Sequence, residues 1–206
     1  MDRAAGIVLC GGRSSRMARP KAWLPFGDEV LLQRVVRILS QVVEPIVVVA
    51  AREQPLPALP EPIILVRDAR EYLGPLNGLA EGLAALEGRA EVAYLSSCDV
   101  PFLRPGFVRR VLDRLGGASV CLAEVGGFKH PLAAAYRIEA LPVVRSLLDT
   151  GRLRPVYVTE LVKTQILSAE DFADVDPDLS SLRNLNTPEE YEAAIREIDQ
   201  APAGPA

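Results

Sequence analysis

Two apolar runs with no polar alternation, Ala5–Cys10 and Ile46–Ala51, limit what this chain can fold into more than any other feature. A strand with one wet face alternates apolar and polar residues, so a run such as Ile46-Val-Val-Val-Ala-Ala51 has to be covered on both faces. Between the two runs, Leu31, Leu32, Val35, Val36 and Leu39 recur at helical spacing across residues 30 to 42. The pattern then repeats. Ile63–Val66 reads as a short strand, an alanine-rich helix follows through Leu79, Leu83 and Leu86, and Glu91–Ser97 reads as the next strand. Pro105 opens a helix with Phe107, Val108, Val111, Leu112 and Leu115 on its apolar face. Strand and helix alternating from residue 5 to 115 predict a mainly parallel sheet with helices on both faces. Ligands of such sheets bind beyond the carboxyl ends of the strands.

The rest of the chain adds an antiparallel element. Gly126-Gly127 separates the apolar runs Ala118–Val125 and Pro131–Tyr136, which predicts a hairpin and hence a mixed sheet. A helix is expected over 138–149, ending near Gly151, and a strand over Val162–Leu167. Prolines at 55, 57, 60 and 62 make residues 52–62 a loop. The last helix has a sharp start: Thr187 as N-cap, Pro188 at the first helical position and Glu190 closing a capping box. With 206 residues and 49% hydrophobic content the chain supports one core, so a single α/β domain is expected over 1–200, with 201–206 a disordered tail.

Directly after the first apolar run stand Gly11, Gly12, Arg13, Ser14, Ser15, Arg16, Arg19 and Lys21. Two glycines allow a ligand to approach the main chain, so that successive N–H groups form an anion-binding concavity. The serines add hydroxyl donors, and the cations add charge suited to phosphate. This is not a Walker A loop, because Lys21 is preceded by Pro20 and followed by Ala22, and the dinucleotide pattern Gly-x-Gly-x-x-Gly is absent. Two carboxylates fall at the same edge of the predicted sheet: Asp99, after Glu91–Ser97, and Asp68, after Ile63–Val66.

Composition excludes several other classes. A net charge of −4 and a pI near 5.2 argue against a nucleic-acid surface. Cys10, Cys98 and Cys121 are odd in number and far apart, which fits a reducing compartment rather than a disulfide framework. A single histidine, His130, excludes a His-rich zinc site and disfavours a Ser–His–Asp triad. No stretch approaches a membrane span or a signal peptide, so a soluble cytoplasmic protein with no nucleic-acid or membrane partner is expected.

The order Leu9-x-Gly-Gly-x-Ser-x-Arg-Met17, then Lys21, Leu24 and Gly27, resembles the signature loop of nucleotidyltransferases of the molybdenum cofactor guanylyltransferase type. Gly74-Pro-Leu-x-Gly78, Cys98-Asp-x-Pro101, His130-Pro131 and Asn184-x-Asn-Thr-Pro188 are similar to later motifs of that family, in its order. The resemblance implies a Rossmann-like nucleotidyltransferase fold and transfer of GMP from GTP to the terminal phosphate of molybdopterin or its molybdenum form, with release of pyrophosphate. It implies Arg16, Lys21 and Asp99 as catalytic residues, with Mg2+ held by Asp99. The main chain of Leu9, Cys10, Gly11 and Gly12, together with Asp68, would contact the nucleoside, and Asn184 and Asn186 the acceptor. Transient contact with cofactor-biosynthesis or molybdoenzyme-maturation proteins is a further implication.

Gly11-Gly12 and the Gly-Pro-Leu stretch resemble guanylyl- rather than cytidylyl-transferring members. Two positions depart from the family. Ala18 replaces the usual glycine, and Ala51 stands where relatives tend to carry an asparagine that touches the nucleotide. Two other readings of the same residues remain: a cytidylyl- or sugar-phosphate nucleotidyltransferase, and a nucleotide-binding module without turnover.

Overall fold

The apolar runs form the middle of a seven-stranded sheet ordered β5-β4-β1-β6-β8-β7-β9. In the computed structural model, which describes residues 3–11, 20–68 and 73–200, the chain starts with β1 (Ala4–Leu9) and a two-stranded ribbon of β2 (Pro25–Phe26) and β3 (Glu29–Val30). There follow α1 (Leu31–Leu39), β4 (Ile46–Ala51), β5 (Ile63–Asp68), α2 (Pro75–Ala85), β6 (Val92–Ser97) and α3 (Pro105–Asp113). The remainder comprises β7 (Val120–Val125), β8 (Phe128–Arg137), α4 (Leu141–Asp149), β9 (Thr164–Leu167) and α5 (Pro188–Gln200).

Strands β5, β4, β1 and β6 run parallel, and β8 enters antiparallel between β6 and β7. The hairpin expected around Gly126-Gly127 is β7–β8, with both glycines at positive φ. It makes the sheet mixed, as expected. The α1 helix stops at Leu39, earlier than the pattern through 42 implied, and β9 begins at Thr164 rather than Val162. The tail at 201–206 lies outside the described residues.

The unbroken runs are explained by burial on two sides. Along β1, Val8 and Cys10 pack into one cluster with Leu32, Val35 and Val36 of α1 and Phe107 and Val111 of α3. Ala5, Ile7 and Leu9 pack into the other, with Leu76, Leu79 and Leu83 of α2 and Val144 and Leu147 of α4. The β4 strand divides the same way, with Val48 and Ala50 on one side and Val47 and Val49 on the other. At the sheet edge β5 is only half-buried, and its Leu65 is exposed.

Two glycines set how closely α2 approaches the sheet. A Cβ at Gly78 would lie 2.9 Å from Leu9 Cδ2, and one at Gly82 would lie 2.7 Å from Ile7 Cγ2. Gly74-Pro-Leu-x-Gly78 therefore has a packing role. Gly74, at φ 73°, starts the helix, Pro75 takes its first turn, and Gly78 lets the helix rest on the last residue of β1. Among the described residues, no helix is long and apolar enough to cross a membrane.

Candidate active site

At the carboxyl ends of β1 and β6, parts of the chain far apart in sequence meet around one carboxylate. The β1–β6 pairing ends at Leu9↔Ser97, and the Cys98 amide still donates to the Leu9 carbonyl at 3.0 Å. Asp99, 8% exposed, follows at the crevice. Its Oδ1 accepts from Ser97 Oγ at 2.5 Å and from Asn184 Nδ2 at 2.9 Å. Its Oδ2 receives the Lys21 ammonium at 2.6 Å, and that ammonium also donates to Asn186 Oδ1 at 2.9 Å. Lys21, Asp99, Asn184 and Asn186 thus form one cluster, and Ser97 belongs to it as well.

Lys21 is held by its own short turn. Residues Lys21–Trp23 form a 3-10 helix in which Ala22 is buried, and Trp23 Nε1 donates to the Pro55 carbonyl at 3.0 Å, tying the turn to the proline-rich loop. The asparagines arrive by a different route. The fully buried Asp176 accepts from the amides of Ser180 and Ser181 at 3.0 and 2.9 Å and pairs with Arg104 at 3.2 Å, while Ser181 Oγ accepts from the Arg104 amide at 2.9 Å. This fastens residues 176–181 to the start of α3. From there the Leu185 amide reaches the Asp99 carbonyl at 2.9 Å, and Asn184 and Asn186 flank that bond.

The capping box of α5 forms as expected. The Glu190 amide donates to Thr187 Oγ1 at 3.2 Å, and Glu190 Oε2 accepts from the amides of Thr187 and Asn186 at 3.1 and 2.6 Å. The cap therefore fixes the backbone of Asn186 as well as the helix start.

The nucleoside side lies across β1, β4 and β5. Gly11 follows β1 so tightly that a Cβ there would be 3.3 Å from the Ala51 amide nitrogen. Gln54, which the motifs did not mark, braces this corner. Its Nε2 donates to the Cys10 carbonyl at 3.0 Å and to Cys10 Sγ at 3.3 Å, and its Oε1 accepts from the Ala51 amide at 3.3 Å. A carboxamide thus stands beside Ala51, although residue 51 carries none. Asp68 is the last residue of β5, opposite Ala51, rather than in the loop beyond, and it accepts from Asn77 Nδ2 at 2.7 Å.

Residues 6–164 match the model of the MobA-like NTP transferase domain. The chain belongs to the MobA-like NTP transferase family. It is a nucleotidyltransferase. The probable molybdenum cofactor guanylyltransferase of Mycobacterium ulcerans is 36% identical over 199 residues, covering 93% of each chain. Among solved structures, molybdopterin-guanine dinucleotide biosynthesis protein A from Archaeoglobus fulgidus superposes with a TM-score of 0.78 at 18% identity, over 95% of this chain and 99% of that one. The 4-diphosphocytidyl-2C-methyl-D-erythritol synthase of Anaerococcus prevotii has a TM-score of 0.69 at 11% identity, over 97% and 99%. These structural likenesses concern the fold, which is that of nucleotidyltransferases.

In this MobA-like transferase the described residues bring Lys21, Asp99, Asn184 and Asn186 together, and set Leu9, Cys10, Gly11 and Asp68 along the neighbouring strand ends. Gly12, Arg16 and Ala18 lie outside the described residues. All three cysteines are free and buried. The Cys98 thiol is pushed well up by its hydrogen bond to Cys10 and by burial, and burial pushes Cys121 up to about 12. Neither is a nucleophile at neutral pH. His130 is half-buried, and desolvation lowers its pKa.

Proposed function

We propose that this enzyme transfers GMP from GTP to the terminal phosphate of molybdopterin or its molybdenum form and releases pyrophosphate. The observation that carries the reading is the paired Lys21 and Asp99, held by Ser97, Asn184 and Asn186 where β1 and β6 end. A cation beside a carboxylate at this edge suits phosphate chemistry, and a module that only bound nucleotide would have no need of the whole cluster. The M. ulcerans relative, matched over 93% of both chains, supports the choice of substrates.

An acceptor phosphate oxygen attacks the α-phosphorus in line, a new P–O bond forms, and the bond to the β-phosphate bridging oxygen breaks as pyrophosphate leaves. The attacking oxygen is already anionic, so no general base is needed. What remains is to bring two anions together and to stabilise charge on the leaving group. In this proposal Lys21 turns from Asp99 to the phosphates, Arg16 holds the departing pyrophosphate, and Asn184 and Asn186 orient the acceptor. The main chain at Leu9, Cys10, Gly11 and Gly12, with Asp68, holds the nucleoside.

Asp99 fits a magnesium ion. Its Oδ2 already attracts a cation, the Lys21 ammonium at 2.6 Å. Among the described residues no group of three or more His, Cys, Asp or Glu side chains is placed to hold a metal ion. One carboxylate supplemented by phosphate oxygens and water matches the ordinary preference of Mg2+. Asp99 would hold the ion, which when bound neutralises phosphate charge.

Guanine is favoured over cytosine by Gly11-Gly12, by Gly74-Pro-Leu76 and by the guanylyltransferase names of the relatives. The test is a melting-temperature panel of GTP, CTP, ATP and UTP with Mg2+, followed by pyrophosphate release on adding molybdopterin. A ligand raises the melting temperature according to its affinity, so GTP is expected to give the largest shift. A larger shift with CTP would overturn the guanine assignment, and no shift with any nucleotide would overturn the reading as a whole.

A further inference from the structure

We propose that Asn77 is a positioning residue for nucleotide binding, acting through Asp68; the inference rests on the nucleotide-binding reading above. Asn77 stands in the first turn of α2, between Leu76 and the close-packed Gly78, and is 2% exposed. A primary amide at such a place is out of keeping with its surroundings. Leu76, Leu79 and Leu83 of the same helix are fully buried in the apolar cluster beneath the sheet, where a polar group is costly unless it is hydrogen-bonded. Its Nδ2 meets that requirement by donating to Asp68 Oδ1 at 2.7 Å, a short bond to a charged acceptor.

The position of Asp68 makes this bond more than a means of satisfying Asn77. Asp68 is the final residue of β5, a strand at one edge of the sheet, where its register partner is Ala51 of β4. An edge-strand end has a sheet neighbour on one side only, so the β-ladder alone fixes its side chain weakly. Asn77 supplies an anchor from the helix side. The helix is in turn seated against β1 through Gly78 on Leu9 and Gly82 on Ile7. The strand end that leads into the phosphate loop and the carboxylate assigned to the nucleoside are thus referenced to the same helix.

A carboxylate has about four acceptor positions, and the Asn77 amide, being neutral, fixes the direction of Oδ1 without bringing a charge of its own. The ligand class this arrangement serves is a nucleoside presenting N–H or O–H donors to a preset carboxylate.

The experiment is a double-mutant cycle read by calorimetric binding of GTP with Mg2+ to the full chain, for wild type, Asn77→Ala, Asp68→Ala and the double variant. Turnover at saturating GTP is measured alongside. Asn77→Ala is expected to weaken GTP about tenfold, to leave kcat within about twofold, and to change affinity less than twofold once Asp68 is alanine. Equal weakening with and without Asp68, or wild-type affinity in Asn77→Ala, would overturn the proposal. If Asn77→Ala does not fold, as judged by circular dichroism, Asn77→Ser is read by the same criteria. A wild-type protein that binds no GTP would overturn the nucleotide reading itself, an outcome distinct from wild-type binding that is indifferent to Asn77.

Discussion

Lys21→Ala removes an ammonium that serves the free enzyme and the reacting one differently, so its two losses can be measured apart. In the free enzyme the Nζ lies 2.6 Å from Asp99 Oδ2 and 2.9 Å from Asn186 Oδ1, and the side chains of Lys21 and Asp99 are only 17% and 12% exposed. Stranding one charge of a buried pair costs about 3–5 kcal/mol. Asp99 keeps Ser97 and Asn184 on its other oxygen, and the pair is not fully enclosed, so we expect about 1–3 kcal/mol. For a chain of this length that corresponds to a fall in melting temperature of roughly 3–9 °C.

The catalytic loss is of another kind. A cation that meets charge developing on the phosphates is worth about 3 kcal/mol, or about a hundredfold in kcat. Scanning calorimetry of the free protein reads the first loss, and pyrophosphate release at saturating GTP reads the second. Millimolar Mg2+ alone is expected to restore part of the melting temperature of Lys21→Ala, because Asp99 Oδ2 has lost its cation, but not that of Lys21→Ala combined with Asp99→Asn. A raised KM for GTP with unchanged kcat would refute the catalytic argument and leave the lysine a contributor of uniform binding. An unchanged melting temperature would refute the argument from the pair.

Two further outcomes follow from packing and charge. Gly82→Ala gains about 1 kcal/mol of helix propensity but drives a methyl to 2.7 and 2.8 Å from Ile7 Cγ2 and Cδ1; overpacking costs about 1–3 kcal/mol, so denaturant titration is expected to show a net loss, and a gain in stability would refute the close packing of α2 on β1. Glu29, hydrogen-bonded to Arg37 and close to Arg34, has its pKa lowered by those contacts, so its contribution is present above the unfolded-state pKa and is lost as pH falls through the folded one. Glu29→Gln is therefore expected to lower stability by on the order of 1 kcal/mol at pH 7, and the gap to wild type is expected to shrink as pH falls below the unfolded-state pKa; a gap that stays constant on acidification would contradict this.

Much of the architecture was legible because burial on both faces leaves a plain record. Val47 and Val49 face one cluster while Val48 and Ala50 face the other, and no polar residue could occupy the alternate positions. Boundaries were less legible. Residues 25–30 form a ribbon of two strands of two residues each, too short for any periodicity to register, and β5 continues through Arg67 and Asp68 because its edge position tolerates polar side chains.

The candidate site was legible where a residue type is itself unusual and illegible where a common residue is given a partner by the fold. Lys21, Asp99, Asn184 and Asn186 hold fixed places in motifs punctuated by Pro20, Pro101 and Pro188, and those prolines mark turns that only a few residue types can make. Ser97, Gln54 and Asn77 hold no fixed place in such a motif. Ser97 ends an ordinary strand, Gln54 sits among prolines, and Asn77 occupies the unspecified place in Gly-Pro-Leu-x-Gly. Each acts on another protein group, namely Asp99, the Cys10 carbonyl and Asp68. The partners lie between 2 and 44 residues away, and no single spacing connects them. A sequence pattern records the groups that must bend the chain or meet a ligand; the groups that hold those in place answer to a distance, and distance exists only once the strands are paired.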